Sequence, residues 1–180
     1  KSTLVWGVAG ALLALYSLKT ITRNTAWYDS ASLYGADLPN SPNCAKLNYH
    51  NALEVTKNGL DEKTGNVTDK VQVEKGVAVS TANIKLYPEY HDAYGSRGLA
   101  YFRLGQYEKA FADYQIAIKH RPNDAKVLSN MGYIYFMRNE LDKAEEVYRK
   151  SIQFDPRFVD ARRNLGAVLA IGLLPGAWLS

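Results

Sequence analysis

The chain has 180 residues, 47% hydrophobic and 22% charged, within the range of one globular domain or a short repeat array. Its net charge of +4 is spread without a block of like charges, which reads as a solvated surface and not as a nucleic-acid patch. The single cysteine, Cys44, excludes an internal disulfide and any multi-cysteine metal site.

The sequence starts at Lys1, not methionine, and reads as a fragment or a processed product. Residues 4–18, LVWGVAGALLALYSL, carry no charge. A membrane span needs about 20 apolar residues, so the run is short by itself. Three readings stay open: a membrane helix cut by the start of the sequence, a buried first helix, or a signal peptide. Trp6 and Tyr16 suit interfacial depth, with Lys19 and Arg23 just outside, which favours the first. No clear small-x-small cleavage site supports the last. Composition turns mixed over 19–30, placing a boundary that separates residues 1–23 from a domain over 24–180.

Residues 26–38 predict an amphipathic helix, with Trp27, Ala31, Tyr34 and Leu38 close to helical spacing, ended by LPNSPN. The next helix is predicted over 45–57. The segment KNGLDEKTGNVTDK then reads as an exposed loop, rich in Gly, Asn, Asp and Lys. Within it Asn66-Val67-Thr68 fits a glycosylation acceptor, relevant only in a secretory setting. A further helix over 71–86 closes at Pro88.

From His91 the pattern becomes regular. Residues 91–124 are restated by 125–158: Gly98 is answered by Gly132, Tyr101 by Tyr135, Ala110 by Ala144, Tyr114 by Tyr148 and Pro122 by Pro156. Helices are predicted over 90–104, 107–120, 125–138 and 141–154, with Gly105 and Asn139 at the corners, where a left-handed backbone is needed. Pro88, Pro122 and Pro156 stop each second helix. Carrying the 34-residue period back to Ala52 requires twelve extra residues, which fall in the 57–70 loop, and Gly76 stands where a regular unit has alanine. Residues 159–171 open a third unit, after which IGLLPGAWLS breaks the pattern; the array ends apolar where a polar capping face is usual, so either the chain continues or this end docks on something.

A fixed 34-residue period with two helices per unit resembles the tetratricopeptide-repeat family, over residues 45–171 and most strongly over 91–166. The resemblance implies an all-α, right-handed superhelical solenoid of helix pairs, preceded here by the apolar helix. It also implies a concave face, lined by the first helix of each pair, that binds peptides or proteins. Departures are Arg97 at a usual leucine phase, Arg162 at an aromatic one and Ser151 at an alanine one, each expected to weaken packing locally. The junction carries Arg23, Asn24, Trp27, Asp29, Leu33, Tyr34, Pro42, Asn43, Ala45 and Lys46 in an RN-x-x-W-x-D, LY, PN-x-AK layout. It is similar to the repeat-bearing tail of transmembrane and tetratricopeptide-repeat O-mannosyltransferase-type membrane proteins, in which the chemistry lies in the membrane part.

Counting from the regular units, the expected peptide-binding residues are Tyr49, Leu53, Leu99, Phe102, Arg103, Lys126, Asn130, Tyr133, Phe136, Met137 and Asn164. Aromatics and arginine dominate interface energies, and a groove floored by them suits an extended or helical peptide. The competing reading is that Phe102, Tyr133 and Phe136 pack on neighbouring units, and that Asn130 and Asn164 bond locally. Some repeat domains hold a chaperone's terminal carboxylates with paired basic residues; the matching phases here are Gly95, Leu99, Asn130 and Asn164, which argues against that ligand. His50, His91 and His120 fall at unrelated phases, and no nucleophile motif or phosphate loop occurs. The expectation is a non-enzymatic protein- or peptide-binding scaffold without metal, cofactor or nucleic acid, membrane-associated through its first helix. The alternative is the accessory, substrate-positioning tail of a membrane glycosyltransferase.

Overall fold

Prolines and left-handed corner residues divide the chain into segments of nearly equal length. The computed structural model describes residues 41 and 43–172; the apolar run over 4–18, the helix expected over 26–38 and the apolar tail after 172 lie outside the described residues. Among the described residues there are seven helices and no strand: α1 (Ala45–Asn58), α2 (Lys70–Leu86), α3 (Asp92–Arg103), α4 (Tyr107–His120), α5 (Ala125–Met137), α6 (Leu141–Phe154) and α7 (Val159–Gly172). None of them is long and apolar enough to cross a membrane. They stack in sequence as helix pairs, α1 with α2, α3 with α4 and α5 with α6, and α7 packs on α6. The architecture is an all-α solenoid.

The local causes recur at one phase after another. Proline's ring crowds the residue before it out of the helical region. Tyr87, Arg121 and Asp155 accordingly end α2, α4 and α6 with φ of −136°, −129° and −132°. The corners at Gly105 (φ 72°) and Asn139 (φ 59°) are left-handed, and Asn139 is the one non-glycine residue of positive φ among those described. Asp69 and Asp124 cap α2 and α5, their carboxylates accepting from Val71 and Gln72, and from Lys126 and Val127. Helix α3 starts at Asp92 and not at 90, because residues 87–90 form a turn in which the Tyr90 N–H donates to the Tyr87 carbonyl, 3.0 Å away.

Small residues set how closely the helices approach. A Cβ at Gly98 would lie 2.7 Å from the Tyr114 ring, and one at Gly132 2.7 Å from the Tyr148 ring. Each glycine is therefore the seat of a tyrosine from the second helix of its own pair. Tyr114 and Tyr148 are fully buried, and burying a side chain of this size contributes about 1.5–3 kcal/mol. In the first pair the roles are exchanged. Ala52 takes the glycine phase, and a Cβ at Gly76 would collide with the Thr56 hydroxyl at 2.0 Å, so only glycine permits that crossing. Among the described buried residues, two clusters stand out, one around Ala110, Tyr114, Val127, Met131 and Ile134, the other around Ala144, Tyr148, Ala161 and Val168.

Two of the three departures from the repeat pattern are bonded instead of weakly packed. Arg97 donates through Nε and Nη2 to Asp113 at 2.8 and 2.7 Å, a bidentate pair between α3 and α4 with Asp113 buried. That hydrogen bond holds the arginine pKa above its ordinary value. The Ser151 hydroxyl, fully buried, donates to the Ala125 carbonyl at 2.7 Å and ties α6 to α5. Arg162 is exposed on α7, at a phase that no described helix covers.

Candidate functional site

The first helix of each pair, α1, α3 and α5, together with the start of α7, lines a groove with two adjoining hollows. One, of about 380 Å³, lies between α1, α3 and α5 and is bounded by Tyr49, Leu53, Gly95, Leu99, Lys126 and Val127 among others. The second, of about 740 Å³, reaches from Phe102, Tyr107 and Tyr133 to Arg163 and Asn164. Arg103, Asn130, Phe158 and Asp160 border both, so the hollows adjoin.

Nine of the expected residues line these hollows: Tyr49, Leu53, Leu99, Arg103, Lys126 and Asn130 the first, and Phe102, Tyr133 and Asn164 the second, with Arg103 and Asn130 shared. Phe136 and Met137 line neither. Phe136 packs against the second core cluster, and Met137 is 55% exposed at the end of α5. The asparagines are not idle on the floor. The amide of Asn130 donates to the Tyr114 hydroxyl at 3.0 Å, and Asn164 hydrogen-bonds the Tyr148 hydroxyl. One unit earlier, at the same phases, the Ser80 and Ser96 hydroxyls lie 3.0 Å apart. A polar pair sixteen residues apart thus recurs at the three junctions among the described residues. Burial pushes the Tyr114 and Tyr148 phenols far up despite these bonds, so both are neutral donors or acceptors.

Phe102, Tyr107 and Tyr133 form an aromatic wall, with ring centroids 5.4–5.9 Å apart and largely edge-to-face. Burial raises the Tyr107 phenol, with the Tyr133 hydroxyl adding to it. Burial also raises Tyr49, helped by the Asp92 carboxylate. Asp92 pairs with Arg121 at 2.7 Å, Asp124 lies 3.9 Å from the same guanidinium, and Asp160 pairs with Arg163.

The groove also has a wall that the sequence does not announce. The segment between α1 and α2 is a built turn. The Asp61 carboxylate accepts from the Lys63 N–H (3.2 Å), the Thr64 N–H (2.7 Å) and the Thr64 hydroxyl (2.7 Å), while Leu60 and Val67 form an antiparallel bridge. The bonds from Thr64 hold the Asp61 carboxyl below its ordinary value. At the tip the Gly65 carbonyl accepts from Arg103 Nη1 at 3.2 Å, across 38 residues of sequence. Lys63, Thr64, Gly65, Asn66 and Val67 face the larger hollow. The usable sequence signal was the twelve-residue excess of this unit, which had to go somewhere. Tyr107, Phe158, Asp92 and Arg121 are also groove residues that counting phases did not single out.

Among the described residues no group of three His, Cys, Asp or Glu side chains could hold a metal. His91 and His120, unrelated in phase, are stacked with centroids 3.2 Å apart and planes at 9°. Ring nitrogens in parallel planes do not converge on one point.

A family model described as TPR repeat matches residues 98–137 and 132–171. No curated protein matches the chain. Among solved structures, MamA from Desulfovibrio magneticus RS-1 is similar with a TM-score of 0.62 at 18% identity, over 90% of this chain and 84% of that one. TTC0263, a thermophilic TPR protein of Thermus thermophilus, scores 0.60 at 21% identity, over 88% and 78%. The first TPR of Spaghetti (RPAP3), bound to the HSP90 peptide SRMEEVD, scores 0.59 at 19% identity, over 71% and 91%. At these identities the likeness establishes the fold alone: an all-α solenoid of the same kind, in which residues 98–171 match the TPR repeat model.

Proposed function

We propose that this chain is a non-enzymatic scaffold that holds a peptide or protein segment along the groove lined by α1, α3, α5 and the start of α7. The observation that carries this reading is that the two hollows adjoin at Arg103 and Asn130, with an aromatic wall on one side. An extended segment fits such a groove, because its side chains alternate toward opposite walls. The repeat-containing RPAP3 domain, whose structure carries a bound peptide, supports the same use of the fold.

A displayed random-peptide library, selected on the full chain, tests the reading. Selected peptides are titrated against the wild type and against Tyr133→Ala and Leu99→Ala, with circular dichroism as the fold check. Loss of about tenfold in affinity at unchanged helicity is the expected result for a residue at the centre of an interface. Selected peptides indifferent to both substitutions would place binding elsewhere on the molecule.

The uncharged run over 4–18 supports a location for this scaffold: at a membrane, with the repeats in the adjoining aqueous compartment. The junction motif between Arg23 and Lys46 supports a narrower version, in which the scaffold presents substrates to a membrane-embedded glycosyltransferase. That version rests on the junction residues alone.

A further inference from the structure

We propose that the built turn between α1 and α2 is a specificity-determining wall of the groove, and that the segment lying against it is an extended acidic polypeptide. This rests on the groove reading above. The groove residues include three carboxylates, and each is engaged: Asp92 and Asp160 by their arginines, Asp124 by the helix α5 amides it caps. Five cations line the same space. Arg121 and Arg163 are the paired ones. Among the described residues, Arg103, Lys126 and Lys63 have no carboxylate within ion-pair distance, and Arg103 donates to the Gly65 carbonyl. Among the described residues the five cations outnumber the three carboxylates, and the positive charge runs from Lys126 past Arg103 to Lys63 on the turn.

The turn is not a random excursion that happens to lie nearby. Asp61 organises it through three bonds, the Leu60–Val67 bridge closes its base, and Arg103 fastens its tip. Gly65 has φ of 66°, and a Cβ there would stand 3.2 Å from the Arg103 guanidinium, so the tip and the arginine are fitted to each other. Arg103 thus stands between the two hollows while joined to the turn. A segment that occupies both hollows must pass this guanidinium, whose remaining N–H donors suit a carboxylate side chain.

The probes are fluorescein-labelled peptides of alternating alanine and glutamate, with glutamine and lysine counterparts, titrated against the full chain by anisotropy at low and at physiological salt. The glutamate peptide is expected to bind about tenfold tighter than the glutamine peptide, as one charge-assisted hydrogen bond contributes. Arg103→Gln and Lys63→Gln together are expected to abolish that preference. Asp61→Ala separates a wall from a simple charge: it makes the turn more positive, so electrostatics alone predicts tighter binding, whereas loss of an ordered wall predicts several-fold weaker binding. Equal affinity for the glutamate and glutamine peptides, no binding of the glutamate peptide, or tighter binding by Asp61→Ala would each overturn the proposal. The groove reading is judged separately by Tyr133→Ala. Library-derived peptides that depend on Tyr133 but show neither acidic preference nor sensitivity to Arg103 would leave the groove standing and remove the acidic wall. Peptides indifferent to Tyr133 would remove both.

Discussion

The same substitution, glycine to alanine, at the same repeat phase should have different effects at two sites. Gly132 and Gly166 are both helical and 34 residues apart. A Cβ at Gly132 meets three atoms of the Tyr148 ring at 2.7–2.9 Å, and that ring is 1% exposed, with no room to withdraw. A Cβ at Gly166 meets no described atom within 4 Å. In both cases alanine is better than glycine in a helix interior by about 1 kcal/mol. At Gly132 this gain is opposed by overpacking, which costs about 1–3 kcal/mol. The propensity gain is common to both variants, so the difference between them isolates the overpacking alone, about 1–3 kcal/mol. Gly166→Ala should therefore stabilise and Gly132→Ala should not. For a chain of this size each kcal/mol moves Tm by roughly 2–4 °C. Urea and thermal unfolding followed by far-ultraviolet circular dichroism would measure it, with Gly98→Ala as a second crowded site. If Gly132→Ala and Gly166→Ala shift stability equally, the tyrosine-on-glycine seat is not what fixes the spacing within a pair.

Other outcomes follow from single contacts. Asp113→Ala removes the bidentate partner of Arg97 and leaves a half-buried guanidinium, costing about 3 kcal/mol in urea titration, whereas Arg97→Leu combined with Asp113→Val should cost less, since no charge is stranded. The Tyr114 and Tyr148 phenols have raised pKa values in the folded chain, so their contribution is fully present below the ordinary phenol value of 10.0 and is lost as pH rises above it; stability should fall in alkali, less steeply for Tyr114→Phe. Tyr114→Phe itself removes the hydrogen-bond partner of the Asn130 amide and should cost about 1 kcal/mol at neutral pH. Finally, a chain starting at Asn24 should be more soluble without detergent than one starting at Lys1; equal behaviour would count against a membrane helix over 4–18.

The helices were legible because their signals are local. A proline fixes the residue before it, and a corner needs a left-handed residue, whatever the rest of the chain does; the expected and observed ends of α4 and α6 coincide. The Gly98–Tyr114 seat was half legible: the small residue was clear, its tyrosine partner only by position. The groove was less so, and Phe102 and Phe136 show why. They share a phase and each packs against the cluster of its own unit, yet of the two only Phe102 also lines the larger hollow. What differs is the turn from the first pair. It occurs once, reaches Arg103, and builds a wall beside Phe102 that the next unit lacks. A repeat count assigns equal roles to equal phases, and an insertion breaks that equality at a distance of 38 residues. Likewise Ser151 and Arg97 break the pattern by residue type, and only the positions of Ala125 and Asp113 reveal that each has a partner.

The polar pairs at the junctions have a consequence for how such an array changes length. Ser80 meets Ser96, Tyr114 meets Asn130, and Tyr148 meets Asn164, always sixteen residues on. Excising residues 125–158 would bring Asn164 to the place of Asn130, facing Tyr114 with its hydroxyl still satisfied. Duplicating the same stretch would repeat a tyrosine–asparagine match that already exists. A slip by one helical turn, by contrast, would bury a phenol with nothing to bond, at a cost of about 1–3 kcal/mol. The junctions therefore act as a keyed coupling: they accept whole units gained or lost, and reject fractions of one.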